Sequence, residues 1–516
     1  MPGLDQGIID DIDWNLALAS VRTDTRSDFI LAPHFSVIYR ECGNELIERT
    51  CADLRNGKFE PRLPLTINVP KGPLLTRPGS ILEPSDRLVY QALVENAVPH
   101  LEAQMNRNRA FSHIPSTNDG ALFESSQSCW AQFQARVENI STHSEFVLRT
   151  DIANFFEAIP QHPLINMMEG TGVPNGTIRL LEELLSSFTG RVSAGIIQGV
   201  YPSDYLGNFF LSGFDGDCEI HGTPSARYVD DIYAGFPSEL DAKRALVRIS
   251  AHLRQNGLSL NDRKTAVLRS ENLIHEEQTI DRLFNAAREE IQDEIGDIHN
   301  AGYGFQGNWI DETQEDVEEE DIRVAAVTRL LEYEDADYVQ REKIDRFCIP
   351  ILRAAHSEAA IEHVLGSIHI RPQLTKIYAS YLSRYAPQSE DIRDRVEALI
   401  EHDNFVTDYE RMYMLASVMN CRRMSISTVN IALRWLEGVA HEPQLRALAG
   451  IFAAKFGTGT HKRRVRLRYE NEQSEYVRAA LLYASRYFGA PERRAARRAW
   501  SGHSAINALV GQAITR

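Results

Sequence analysis

The sequence predicts an α+β fold over its first half, followed by an all-α domain. Three observations carry this. Residues 146–275 alternate β-branched and aromatic runs with helix-like segments. From Ile322 onward almost every segment has helical spacing. Within the mixed region, Tyr228-Val229-Asp230-Asp231 sets two adjacent carboxylates between strand-like flanks, Ser225–Tyr228 and Ile232–Phe236. In a continuous strand, neighbouring side chains point to opposite faces. The pair is therefore expected at a hairpin tip, where the turn frees both acids for one site. Two acids there make a hard oxygen site suited to Mg2+, although an Asp-Asp turn taken alone is usually just a turn.

Residues 1–145 read as mixed structure with several helices. The clearest is Arg87 to Gln104, with Leu88, Ala92 and Leu93 at helical spacing. In residues 146–275, the apolar run Phe146–Thr150 ends in Asp151, and a helix-like segment with Phe155 and Phe156 follows. Taken alone, Asp151 reads as the N-cap of that helix, and in the context of the neighbouring motifs it reads as a metal ligand. Next come Gly195–Leu211, the Asp-Asp pair, and Gly257–Thr265. Residues 276–322 form a charged connector, with Gly302, Gly304 and Gly307 and eight carboxylates between Asp311 and Asp321. A solvated linker is the plain reading of that acidic run; mimicry of nucleic acid is the bolder one. Residues 323–516 break roughly every 15–20 residues, a period that suggests a HEAT-like α-solenoid or an irregular helical bundle.

Composition narrows the classes. Hydrophobic residues make up 43% of 516, enough for ordinary cores. No apolar run reaches the roughly 20 residues that span a bilayer, and Met1–Trp14 lacks a signal-like apolar region, so a cytoplasmic protein away from membranes is expected. The six cysteines are scattered without a Cys-x-x-Cys pair, and read as free thiols rather than a zinc site. The net charge of −17 argues against a nonspecific nucleic-acid coat, yet a basic groove can sit on an acidic body. Two basic clusters stand out, His461–Tyr469 with Arg463 and Arg464, and Arg493–Trp500 with Arg497. On a helix, Arg493, Arg494, Arg497 and Arg498 share one side. They read either as a solvated face or as a phosphate-binding stripe.

The ordered set Phe146–Ile159, Gly195–Leu211, Tyr228–Asp231 and Gly257–Thr265 resembles motifs A to D of the reverse transcriptase palm. Upstream, Val69-Pro70-Lys71 and Thr76 to Leu93 are similar to the fingers of group II intron and related bacterial enzymes. The resemblance spans roughly residues 30–300 and implies a right-hand polymerase with fingers and palm. It implies that Asp151 and Asp230 bridge two Mg2+ ions (Mn2+ being an alternative), with Asp231 as auxiliary ligand and the Ile152 carbonyl completing the shell. Phe156 falls where a bulky ring collides with a 2′ hydroxyl and favours deoxynucleotides, against an RNA-dependent RNA polymerase; an ordinary core aromatic is the plainer alternative. Gln198 and Gly199 would lie against the nucleotide, and Ser203 belongs to the same motif, as a nucleic-acid contact. Ile197 and Asp204 depart from the family, where prolines are common. Lys71 and Arg77 resemble cations that clamp the triphosphate. Lys264 is either a general acid toward pyrophosphate or an exposed turn lysine. Arg87 is expected to be structural.

A palm followed by about 190 helical residues is similar to abortive-infection and other defence-associated bacterial reverse transcriptases. That resemblance implies dNTP polymerisation in antiphage defence, a homo-oligomer, and either priming on a protein hydroxyl or copying of an associated noncoding RNA into DNA. A group II-like enzyme of retrotransposition or repair and a noncatalytic RNA-binding scaffold are the alternatives. The intact acids Asp151, Asp230 and Asp231 weigh against the scaffold.

Overall fold

The computed structural model describes residues 6–26, 28–116, 122–277, 283–284, 287, 317–333 and 336–515. The glycines at 302, 304 and 307 and the acidic run up to Asp316 lie outside them, and the run's last residues open the helix Val317–Leu331. The chain forms two compact units. One gathers Met1–Asp28, Phe35–Leu65 and Ser80–Glu277; the other gathers Phe29–His34, Thr66–Gly79 and Gln278–Arg516.

The first unit is built on a four-stranded antiparallel sheet. Its strands are β3 (Phe146–Asp151), β4 (Ser225–Tyr228), β5 (Asp231–Phe236) and β6 (Ala266–Arg269), in the order β4-β5-β3-β6. β3 lies inside the sheet, and its Val147 and Leu148 are fully buried. Helix α6 (Ser126–His143) covers one side through Phe133, Val137 and Ile140, which pack with Val147 and Ala226. Ser125 starts that helix by accepting from the Ser128 amide. Helix α12 (Glu239–Gln255) is capped by Ser238, with acids in its first turn and Arg254 in its last, as the helix dipole favours.

Helix α5 spans Pro84–Glu102, close to the segment expected from periodicity, and its start is set by Pro84 in the first turn. It is buried over most of its length, so its apolar residues are not confined to one stripe. Arg87 is structural. Buried at 4% exposure, it bonds Asp24 at 2.9 Å and Asp28 at 2.7 and 2.8 Å, and Asp24 in turn accepts from the Tyr201 amide.

The second unit holds residues 66–79 of the two-stranded hairpin of β1 (Leu65–Pro70) and β2 (Thr76–Ile81), together with the C-terminal helices. Those helices pack in rows. Thr375–Tyr385 packs on Asp408–Ser417, which packs on Pro443–Phe456, then on Glu475–Ala484, then on Ala505–Ala513. Serine or threonine caps recur at Ser389, Thr407, Ser425, Ser474 and Ser504, each accepting a backbone N–H of its own helix. No described helix is long and apolar enough to cross a membrane.

Candidate active site

β4 and β5 form a tight hairpin in which Tyr228 pairs with Asp231, leaving Val229 and Asp230 as the turn. The neighbouring strand places Asp151 directly opposite Asp231. The Ile152 amide donates to the Asp230 carbonyl at 3.3 Å, tying the strand end to the turn. Three carboxylates from two chain segments thus gather at one end of the sheet.

Asp151 is not the cap of the helix after it. Helix α7 (Phe155–Ala158) starts from Asn154, whose φ is +49°. The Asp151 carboxylate instead accepts from Lys264 Nζ at 2.9 Å and Asn261 Nδ2 at 3.1 Å. Lys264 is held by this contact although its side chain is 55% exposed.

Burial and neighbouring charge set the electrostatics of this cluster. Burial, followed by Asp231 and Asp151, pushes the Asp230 carboxyl up to about 7. Burial also raises Asp231, partly offset by Lys264. Burial disfavours the Lys264 ammonium, but its hydrogen bond to Asp151 and the three acids hold its pKa above normal. Among the described residues, no three acid, histidine or cysteine side chains are arranged so that they could hold a metal ion as they stand. The donor set nevertheless suits a hard divalent cation: carboxylates on adjacent strands, two of which raise the Asp230 pKa, with a lysine bound to Asp151.

Phe155 is 2% and Phe156 9% exposed, with ring centroids 5.2 Å apart. Helix α10 (Tyr201–Phe210) approaches them at Gly207, where an added Cβ would lie 2.9 Å from Phe155 Cε1. Gln198 and Gly199 are half-buried in the loop before α10, and Gly199 has φ +85°, a conformation glycine adopts freely.

Several expectations change. Ser203, expected against nucleic acid, is fully buried and shares a hydrogen bond with the Tyr90 hydroxyl at 2.9 Å, so it joins α10 to α5. Arg464 is bound bidentately to Glu437 at 2.9 and 2.6 Å, whereas Arg463 is exposed and Arg497 likewise. Lys71 is exposed beside the β1–β2 turn, and Arg77 stacks on the Phe29 ring at 4.5 Å; both belong to the second compact unit. Asp204 lies 3.4 Å from His113 Nε2. Burial, Asp24 and Asp230 push its carboxyl far up, while burial and Arg107 push His113 down to about 4. Both shifts disfavour the charged forms, so burial works against an ion pair at this contact.

A buried network supports the turn. The Val229 amide donates to Ser112 Oγ at 3.2 Å. Asn208 donates to that hydroxyl at 2.7 Å, and Arg227 donates to Asn208 Oδ1 at 2.6 Å and to Asp215 at 2.8–3.0 Å. The sequence carried a signal for one member: an arginine inside an apolar strand flank needs a buried partner. Nothing local pointed to Ser112 or Asn261.

Residues 69–292 match the family described as reverse transcriptase (RNA-dependent DNA polymerase). The chain therefore carries an RNA-directed DNA polymerase domain of the nucleotidyltransferase class. No curated protein matches it. Among solved structures, it is similar to telomerase from Candida albicans in complex with a telomeric RNA fragment, at 10% identity and TM-score 0.31, covering 79% of this chain and 64% of that one. It is also similar to apo telomerase from Candida tropicalis, at 11% identity and TM-score 0.29, covering 86% and 73%. The chain thus spans less than two thirds of the first of these.

Proposed function

We propose that the protein copies an RNA template into DNA at the carboxylates Asp151, Asp230 and Asp231. One observation carries the reading: Asp151 and Asp231 are cross-strand partners, with Asp230 beside them at the tip. In this reading Asp151, Asp230 and Asp231, with the Ile152 carbonyl, would hold two Mg2+ ions, Mn2+ being able to substitute. Bound metal would supply Lewis acidity toward the attacking 3′ hydroxyl and the departing pyrophosphate. The chain's own residues do the rest. Gln198 and Gly199 flank the base pair being formed, and Phe156 excludes the 2′ hydroxyl. Lys264, released from Asp151, serves the leaving group, and Lys71 and Arg77 neutralise the triphosphate.

We further propose that this is a bacterial cytoplasmic defence enzyme of the abortive-infection type. Its motifs and helical C-terminal region support that assignment, and the helix rows fit a HEAT-like solenoid. A homo-oligomer, a noncoding RNA template and a protein hydroxyl as primer belong to the same proposal.

The test is incorporation of labelled dNTPs on an RNA template with Mg2+. Asp230→Asn is expected to abolish measurable incorporation, because it removes a ligand of the metals that activate the reacting oxygens, and Phe156→Ala to raise NTP use. Wild-type synthesis by Asp230→Asn overturns the catalytic reading. Phage protection that persists in that variant overturns DNA synthesis as the means of defence.

A further inference from the structure

Two helices of the second unit carry the same pattern. In Gly459–Asn471, Val465 and Tyr469 are buried while Lys462, Arg463 and Arg466 face outward or lie half-exposed. In Ala490–Trp500, Ala496 and Trp500 are buried while Arg493, Arg494, Arg497 and Arg498 are exposed. Lys462, Arg463 and Arg466 stand to Val465 and Tyr469 as Arg493, Arg494 and Arg497 stand to Ala496 and Trp500. The equivalent aromatics meet: Tyr469 stacks on Trp500 at 3.9 Å and 8°. The Tyr469 hydroxyl is further fixed by His503 at 2.8 Å and Asn507 at 2.6 Å. The basic faces are therefore mounted on a rigid joint.

Their charge is not spent internally. None of these seven cations has an ion-pair partner among the described residues, whereas Arg464 and Arg468 of the first helix pair with Glu437 and Glu472. Glu470 ends the first stripe. In a chain of net charge −17, seven unpaired cations on two joined helices are a local reversal of sign. Beside them, the turn Ser485–Tyr487 packs on Ala490–Trp500. There, exposed Arg486 stands over the half-buried rings of Tyr483 and Tyr487, at 5.0 and 5.7 Å.

We propose that this surface binds a single strand of nucleic acid, the arginines taking successive phosphates and Tyr483 and Tyr487 stacking bases. Arginine pairs with phosphate through a planar fork, and rings beside a basic track accept any base whose π-face is open. A duplex hides those faces, so the aromatic pair favours an unpaired strand. Template RNA and product DNA share this chemistry.

The inference goes beyond the polymerase reading and is tested apart from it. Binding of labelled single-stranded RNA, single-stranded DNA and duplex DNA to the full chain is followed by fluorescence anisotropy, without dNTPs or divalent ions. The variant with Arg493, Arg494, Arg497 and Arg498 all changed to Ala is expected to bind single strands at least about tenfold more weakly. Its salt slope should fall by about 0.7 for each phosphate that is no longer neutralised. Changing the same four to Lys should restore most of the affinity, and Tyr487→Ala should weaken single strands more than duplex. An RNA-over-DNA preference would make the ligand template, and the reverse would make it product; either supports the site. Wild-type affinity in the Ala variant overturns the proposal, as does a preference of the intact surface for duplex or for acidic-lipid vesicles. The arginines are exposed, so an unchanged thermal transition in the variant separates lost binding from lost fold.

Discussion

At the scale of single residues, the Val229-Asp230 turn is held in a costly conformation. Val229 has φ +56°, a region β-branched residues avoid and glycine fills at this hairpin position. Such a conformation costs on the order of 1–3 kcal/mol and persists only where its surroundings enforce it. The enforcement is visible: Ser112 takes the Val229 amide, and Arg227, fully buried against Asp215, reaches toward the Val229 carbonyl at 3.5 Å. Ser112→Ala leaves that amide and the Asn208 side chain short of a partner, a loss of about 1–3 kcal/mol. If the network positions Asp230, kcat should fall about tenfold with little change in dNTP KM. Adding Val229→Gly should recover much of the rate, because glycine accepts the turn without support. Unchanged kcat in Ser112→Ala would remove Ser112 from the positioning role.

At the scale of elements, the hairpin was legible because two apolar flanks around adjacent acids admit few folds, and β3 was legible because its apolar run ends in Asp151. The helix after Asp151 departs from expectation in one respect: it starts from Asn154, in a left-handed conformation that no periodicity announces. Ser203 and Arg464 depart for a related reason. A motif reports which residue types occur together, whereas burial against Tyr90 and pairing with Glu437 depend on partners distant in sequence. Helix α5 illustrates burial with a measurable consequence. Asp86 is 2% exposed and accepts the Arg62 amide at 3.0 Å, and burial pushes its carboxyl up to about 7 from the ordinary 3.8. Below about pH 4 the acid is neutral in folded and unfolded chains alike. Between there and about 7 only the unfolded chain releases the proton, so stability falls as pH rises, by about 1.4 kcal/mol per unit of pKa difference. Above 7 the loss is constant. Asp86→Asn keeps the acceptor for Arg62 and should remove this slope from the denaturation midpoint measured between pH 4 and 7. An unaltered slope would mean the burial cost lies elsewhere.

At the scale of the whole molecule, the compact units do not follow the order of the chain. Sequence composition changes near residue 322, so a boundary there is the natural expectation. Yet Phe29–His34 and Thr66–Gly79 are grouped with the C-terminal helices. Composition has no term for this, because it rests on single long-range contacts. The Tyr413 hydroxyl donates to the Phe29 carbonyl at 3.0 Å, Phe29 carries the Arg77 guanidinium at 4.5 Å, and His34 meets Tyr476 edge-on at 4.5 Å. The hairpin bearing Lys71 and Arg77 therefore shares its stability with helices more than 300 residues away in sequence. Amides that belong to one cooperative unit lose exchange protection together. In native-state hydrogen exchange at rising denaturant, residues 66–79 should open with Asp408–Ser417 and Glu475–Ala484. The sheet of β3, β4 and β5 has its own core around Val147 and Phe133 and should follow its own isotherm. Opening of the hairpin together with that sheet would contradict the grouping, and would return Lys71 and Arg77 to the stability of the carboxylate site.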